Sequence, residues 1–350
     1  MCSSNKADME KKRIIWLDIA RGLAMLCVIY GHISPQSTGI SRWIYSWHMP
    51  VFFLITGILL STNTNWKQMT YRELFIKDLK SILYPYLIFN FIELIRSYTS
   101  SLYDVMRGLI HFCILDGLRV LWFLSALFFA RQFFFHLMKR TQKKEAITAC
   151  VIIVMVVTSM MSVVFGRLDL QNMPMRLLFR ILNIYNRSGI AFIFLILGFT
   201  GANYLRSIRL TNPIKGVVLV CMLLFSVFFS RYSTVDLHYS IIGNPLFFYP
   251  LAIAGSVFVF VLSEFLSRFR LSEIIRFMGC NSIVFFVTHN PVRHLLVFLF
   301  PSIRNNTVLY FLVLVAVEYG VTWVVIRYLP FLYRFPKIPT ASKKRRPDKA

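Results

Sequence analysis

The feature that most constrains this chain is the recurrence of apolar runs of roughly 18 to 20 residues, the length at which an α-helix crosses the hydrocarbon core of a bilayer. Ten such runs are read near 14–34, 43–62, 79–97, 119–137, 147–165, 187–204, 214–230, 244–263, 278–298 and 307–328. A spanning segment has no water to satisfy its backbone, so it must form its own hydrogen bonds, and segments of this length do so as helices. The sequence therefore predicts an all-α, polytopic integral membrane protein of about ten transmembrane helices. Composition agrees: of 350 residues, 57% are hydrophobic and 15% charged, a balance that excludes an ordinary soluble domain.

Charge then supplies a topology. A net charge of +24 in a soluble chain would point to nucleic acid. Here lysine and arginine recur in short clusters between the apolar runs, so nucleic acid is not an expected partner. With the N-terminus in the cytoplasm, most of the 39 basic residues face inward, among them Lys11-Lys12-Arg13, Lys67/Arg72/Lys77/Lys80 and Lys139/Arg140/Lys143/Lys144, as the positive-inside rule requires. Both termini are then cytoplasmic. The exception is an outer loop over 166–186 with Arg167, Arg176, Arg180 and, at its edge, Arg187, read as a re-entrant or substrate-binding segment. No repeat or linker divides the chain, so the expected organisation is a cytoplasmic segment 1–13, a ten-helix membrane domain 14–335 and a basic tail 336–350 that anionic lipid headgroups attract. Six cysteines without C-x-x-C spacing support neither a disulfide framework nor a metal site.

Ionisable residues inside spans are costly and need a reason. The first span carries Asp18, Arg21 and His32. Eleven steps at about 100° bring Arg21 and His32 to within roughly 20° of each other, with Asp18 about 60° from Arg21, so the three share a face. Eleven residues also separate them by about 16 Å along the axis, the arginine toward the cytoplasm and the histidine toward the outside. An arginine there can hold a phosphate or carboxylate, and an imidazole can take a hydroxyl proton. A snorkelling Arg21 paired with Asp18, and an interfacial His32, is the structural alternative. His48 enters the second span at the outer side, and His289 lies midway in the ninth, with Asn281 and Ser282 about two turns earlier. Trp122 is placed to stack on a sugar ring or to join an aromatic girdle. Glu93 and Glu318 are further intramembrane acids, and Arg72, Lys77 and Lys80 form a cationic segment that can clamp a phosphorylated donor or simply fix topology.

In chain order, the segments LDIARGLAMLCVIYGH, WHMPVFFLITG, ILYPYLIFN, LWFLSALFF and GCNSIVFFVTH resemble the membrane-bound acyltransferase-3 family, over roughly residues 14–330. The branch that acetylates sugar hydroxyls, including fucose 4-O-acetylase-like proteins, is the most similar. The resemblance implies a multi-pass enzyme of the bacterial inner membrane that moves an acyl group, usually acetyl from acetyl-CoA, to a hydroxyl of a polysaccharide, other envelope glycan or glycolipid. It implies acetyl-CoA as co-substrate, with no tightly bound cofactor. By this resemblance Arg21 and His32 match the essential Arg-x10-His pair, while His48, Trp122, Asn281, Ser282 and His289 match weaker motif positions. The rival from another class is a transporter or flippase for a lipid-linked sugar or organic anion. Such proteins also carry intramembrane Arg, His and Glu, although paired repeats common among them are not visible in this sequence.

Overall fold

The computed structural model describes residues 14–97, 101–168, 173–206 and 213–336. The 1–13 segment and the basic tail from 337 onward lie outside the described residues. The elements are α1 (Ile15–Ile33), α2 (Gly39–Thr62), α3 (Tyr71–Asp78), a π-helical turn (Leu79–Leu83), α4 (Tyr84–Ser97), α5 (Leu102–Cys113), α6 (Trp122–Arg140), α7 (Lys144–Phe165) and α8 (Met173–Thr200). They continue with α9 (Ala202–Arg206), α10 (Pro213–Ser230), α11 (Pro245–Leu266), α12 (Ser272–Cys280), α13 (Ser282–Leu299) and α14 (Thr307–Tyr328). Among the described residues, eight helices are long and apolar enough to cross a membrane. The other two expected spans correspond to α10 and to the π turn with α4, which continue the rod begun by α3. The chain is thus an all-α, multi-pass membrane protein.

Local chemistry explains the departures from ten uninterrupted runs. Pro85 has no N–H to give the Ser81 carbonyl, and the π turn just before it absorbs that lost bond without stopping the rod. The ninth run breaks at Asn281 into α12 and α13. The largest correction concerns the expected loop over 166–186: α8 begins at Met173, so Arg176, Arg180 and Arg187 stand on a helix. Their spacing of four and then seven residues puts them on one helical face. The segment between spans three and four, read as a connection, contains α5, an amphipathic helix that exposes Leu102, Tyr103, Met106, Leu109 and Ile110.

α2 is the central strut. It packs on α1, α8 and α11 through Trp47, Val51, Phe53, Ile55 and Ile58, all nearly inaccessible. At the other extreme α7 is only 11% buried within the protein, so its apolar surface faces lipid. Lipid tails offer no hydrophobic gain for helix association, so close backbone approach has to supply it. Two glycine crossings do this. α2 and α8 meet where a Cβ on Gly57 would collide with the Leu195 carbonyl and one on Gly198 with that of Leu54. α1 and α12 meet where a Cβ on Gly279 would fall on the Asp18 carbonyl and one on Gly22 on that of Ile275.

Gly279→Ala is expected to force α12 off α1 at a cost of about 1–3 kcal/mol, read as a lower thermal midpoint of the purified protein. Gly320→Ala, where an added Cβ meets nothing within 4 Å, is the matched control and should leave the midpoint unchanged.

Candidate active site

The turn joining α1 to α2 is short and internally bonded. Ser41 Oγ donates to Ser34 Oγ at 3.0 Å, and Thr38 Oγ1 donates to Ser41 Oγ at 2.9 Å while capping α2. This connection brings His32, at the end of α1, and His48, in α2, to one cavity of about 480 Å³. The cavity lies at the helix ends that the basic-residue distribution assigns to the outside. Val28, Met49 and Phe286 contribute apolar wall, and Trp122 lines it from the start of α6. Its volume falls in the range of small-molecule sites, about 300–1,000 Å³.

On the α1–α2 side, His32 and His48 line the cavity and His289 lies behind His32. His48 is buried, and its Nδ1–H donates to the Ile44 carbonyl at 2.8 Å, which leaves Nε2 as an acceptor. His289 is fully buried with Nδ1 directed at the Phe285 carbonyl at 3.2 Å, and its Nε2 has no partner among the described residues. Its ring centroid lies 5.1 Å from that of half-buried His32. Arg293, one turn beyond His289, donates from Nη1 to the His32 carbonyl at 3.1 Å and from Nη2 to Asn290 Oδ1 at 3.0 Å. A guanidinium on the last carbonyls of a helix also complements its dipole. The α1 end that carries His32 is therefore held from α13.

The opposite wall is an ion cluster. The Asp116 carboxylate receives His111 Nδ1 at 2.8 Å, Arg180 Nη1 at 3.0 Å and Arg187 Nη2 at 3.0 Å, and Arg187 also bonds the Asp116 carbonyl. The segment that presents Asp116 has Leu115, Gly117 and Arg119 at positive φ (60°, 78° and 52°), a strained backbone of the kind found at functional sites. Burial would raise the Asp116 carboxyl, but the His111 hydrogen bond and the two guanidiniums outweigh it and hold the group down from 3.8 to about 2. A loop at 233–243 closes the rim. Asn183 Nδ2 donates to the His238 carbonyl at 2.9 Å, Ser240 Oγ to Asn183 Oδ1 at 2.5 Å, and the Ile242 amide to Ser162 Oγ at 3.1 Å. The His238 ring is 6.1 Å from that of Trp122, and burial, with Arg187 nearby, pushes its imidazole down from 6.5 to about 4.

Not every residue anticipated from sequence is in the cavity. His32, His48 and Trp122 line it, and His289 backs His32. Arg21 does not line it; its Nη1 lies 3.6 Å from Asp18 Oδ1, about three turns below His32 on α1. Asn281 and Ser282 are at the start of α13, just past the α12–α1 crossing, and Asn281 Nδ2 bonds the Phe277 carbonyl at 2.9 Å. Arg72, Lys77 and Lys80 are exposed on α3 and the π turn, whose Asp78 is tied to Arg131 and Gln132 of α6. Glu93 pairs with Arg96 and Arg119, and buried Glu318 accepts from Thr288 Oγ1 at 2.8 Å. Sequence reasoning alone does not point to Asp116, His111, His238 or Arg293 as parts of the site. The helical spacing of Arg176, Arg180 and Arg187 was the available signal.

Asp116 and Arg187 have side chains 5% and 1% exposed, so Asp116→Asn leaves a buried guanidinium without its counter-charge, at a cost of about 3–5 kcal/mol. The depressed carboxyl adds a pH signature. Its contribution is complete above the unfolded value near 4 and is lost as pH falls toward about 2. Thermal midpoints between pH 2 and 7 should show that slope in the wild type and a flatter profile in the variant; superimposable profiles would refute the assignment.

No curated protein and no solved structure matches the chain. A family model described as an acyltransferase domain, that of the acyltransferase-3 family, matches residues 14–327. The chain belongs to the acyltransferase-3 family of membrane acyltransferases.

Proposed function

We propose that this acyltransferase moves acetyl from acetyl-CoA to a hydroxyl of an envelope glycan or lipid-linked sugar, at the bacterial inner membrane. The observation that carries this reading is His32, open to an outer cavity and backed by His289, whose Nε2 has no partner among the described residues. With the rings 5.1 Å apart, a small rotation of the His32 ring lets His289 Nε2 accept its N–H, which leaves the other His32 nitrogen as the base. His32 takes the proton of the acceptor hydroxyl, whose oxygen attacks the thioester carbonyl. The C–S bond then breaks, and the departing CoA thiolate takes up the proton.

The distance of about 16 Å between Arg21 and His32 along α1 divides the work. Arg21, set by Asp18, supplies positive charge on the donor side, where Arg72, Lys77 and Lys80 are placed to meet CoA phosphates and Asn281 and Ser282 to hydrogen-bond the entering chain. His48 offers Nε2 to an acceptor hydroxyl, and Trp122 offers its ring edge to a sugar. The thioester reaches His32 between α1, α2 and α13.

The test is transfer from isotopically labelled acetyl-CoA in membranes that hold equal amounts of wild type, His32→Ala and Arg21→Ala, with label followed into envelope glycans and glycolipids. His32→Ala should lose about 10²–10⁴-fold in rate, and Arg21→Ala should chiefly weaken donor saturation. Full activity in a correctly inserted His32→Ala protein would sink the catalytic assignment. No label with wild type, when the natural acceptor is present, would favour transport.

A further inference from the structure

The outer cavity breaks the charge rule that orients the chain. Arginine is disfavoured outside, yet Arg119, Arg180 and Arg293 line this cavity, and Arg187 lies behind it. A second lobe of about 620 Å³ carries Arg42 and shares Gln36, Tyr45 and Asp236 with the first, so the two form one extended cleft. The acids present do not balance these cations. Asp116 is shared by Arg180 and Arg187, and Glu93 by Arg96 and Arg119. Asp236 accepts from the His238 amide of its own loop at 3.0 Å, and burial raises its carboxyl toward the neutral form. Among the described residues, neither Arg293 nor Arg42 has a carboxylate within ion-pair distance.

Arg293 is also the cation anchored nearest the proposed base. It holds the His32 carbonyl, Asn290 Oδ1 and His294 Nε2, which engages three of the five N–H groups of a guanidinium. Its Nε is buried without a partner among the described residues, so one Nη1 N–H and the positive charge remain to meet a ligand, and a half-buried arginine of this kind with no acid is suited to an oxygen of a carboxylate or a phosphoryl group. An uncharged sugar would leave that charge uncompensated on the cavity wall.

We propose that the acceptor is an anionic glycan: the sugar whose hydroxyl meets His32 carries a carboxylate or phosphoryl group that Arg293 binds, and the adjoining unit runs past Tyr45 to Arg42. The placing of the hydroxyl rests on the acyl-transfer reading; the charge argument does not.

The experiment uses the full chain in detergent and three fluorescently labelled trisaccharides of equal length: trigalacturonate, neutral trigalactose, and trigalactose bearing one phosphate. Both anionic probes, or one of them, should bind wild type about tenfold or more tightly than the neutral one, and the stronger of the two identifies the anion. Arg293→Gln should bring that ratio to within about twofold, and Arg293→Lys should keep part of it, since the charge survives but the bonds that anchor the guanidinium do not. Arg42→Gln should lower the ratio for trigalacturonate, which reaches the second lobe, more than for the singly phosphorylated probe. Equal binding of neutral and anionic probes overturns the proposal, as does an Arg293→Gln protein that loses all three alike. Displacement of the anionic probe by free CoA would make the cleft a donor site and overturn it too. Labelled acetyl-CoA, supplied with the same three acceptors, separates the two readings. Anion-selective binding without transfer removes the acyl-transfer reading and leaves the anion site, whereas transfer to trigalactose at the trigalacturonate rate removes only the anion site.

Discussion

The Asp116 carboxylate ties together parts of the chain that are far apart in sequence. His111 comes from the amphipathic α5, Arg180 and Arg187 from the long α8, and Asp116 itself from the strained turn that feeds Trp122 into α6. In a bilayer protein, apolar burial does not select one arrangement of helix ends over another, because lipid is as apolar as the core. A buried charge with several fixed partners does select, because each misplaced partner leaves an unsatisfied ion. The position of Trp122, the height of the 233–243 loop and one wall of the cavity all follow from where this carboxylate is held.

Backbone contact does the corresponding work at the other end. With glycines at 22 and 279, α1 lies directly against α12, and with glycines at 57 and 198, α2 lies directly against α8. α1 is thus clamped twice, by α12 near Asp18 and by Arg293 at the His32 carbonyl. The helix that carries both members of the Arg-x10-His pair has little freedom to slide. Arg21 and His32 keep a fixed separation along it.

The sequence made the helices and the polar stripe of α1 legible because both are local. Hydropathy runs report spans directly, and eleven residues at helical pitch put Arg21 and His32 on one face whatever surrounds them. The bond between Asp116 and Arg187, 71 residues apart, leaves no such local mark. In sequence the arginines of α8 stand out as exceptions to a topology rule although their spacing is helical, because a polar stretch before an apolar run resembles a loop. Arg293 is illegible for a similar reason: next to Pro291 and His294 it looks like the end of a span, and only the fold turns it back onto the His32 carbonyl.

Burial also sorts these arginines by what the surrounding medium can do to them. Arg187 is 1% exposed and Asp116 5%, so mobile ions cannot come between them and their attraction is screened little. Arg119 is 42% exposed, and Arg42 and Arg293 are half-buried on the cleft wall, within reach of counter-ions. A rise in external salt therefore leaves the framework of the outer face standing while it weakens the field that the cleft presents. The shape of the mouth and its pull on anions are set independently, one by the protein and the other by the water it faces.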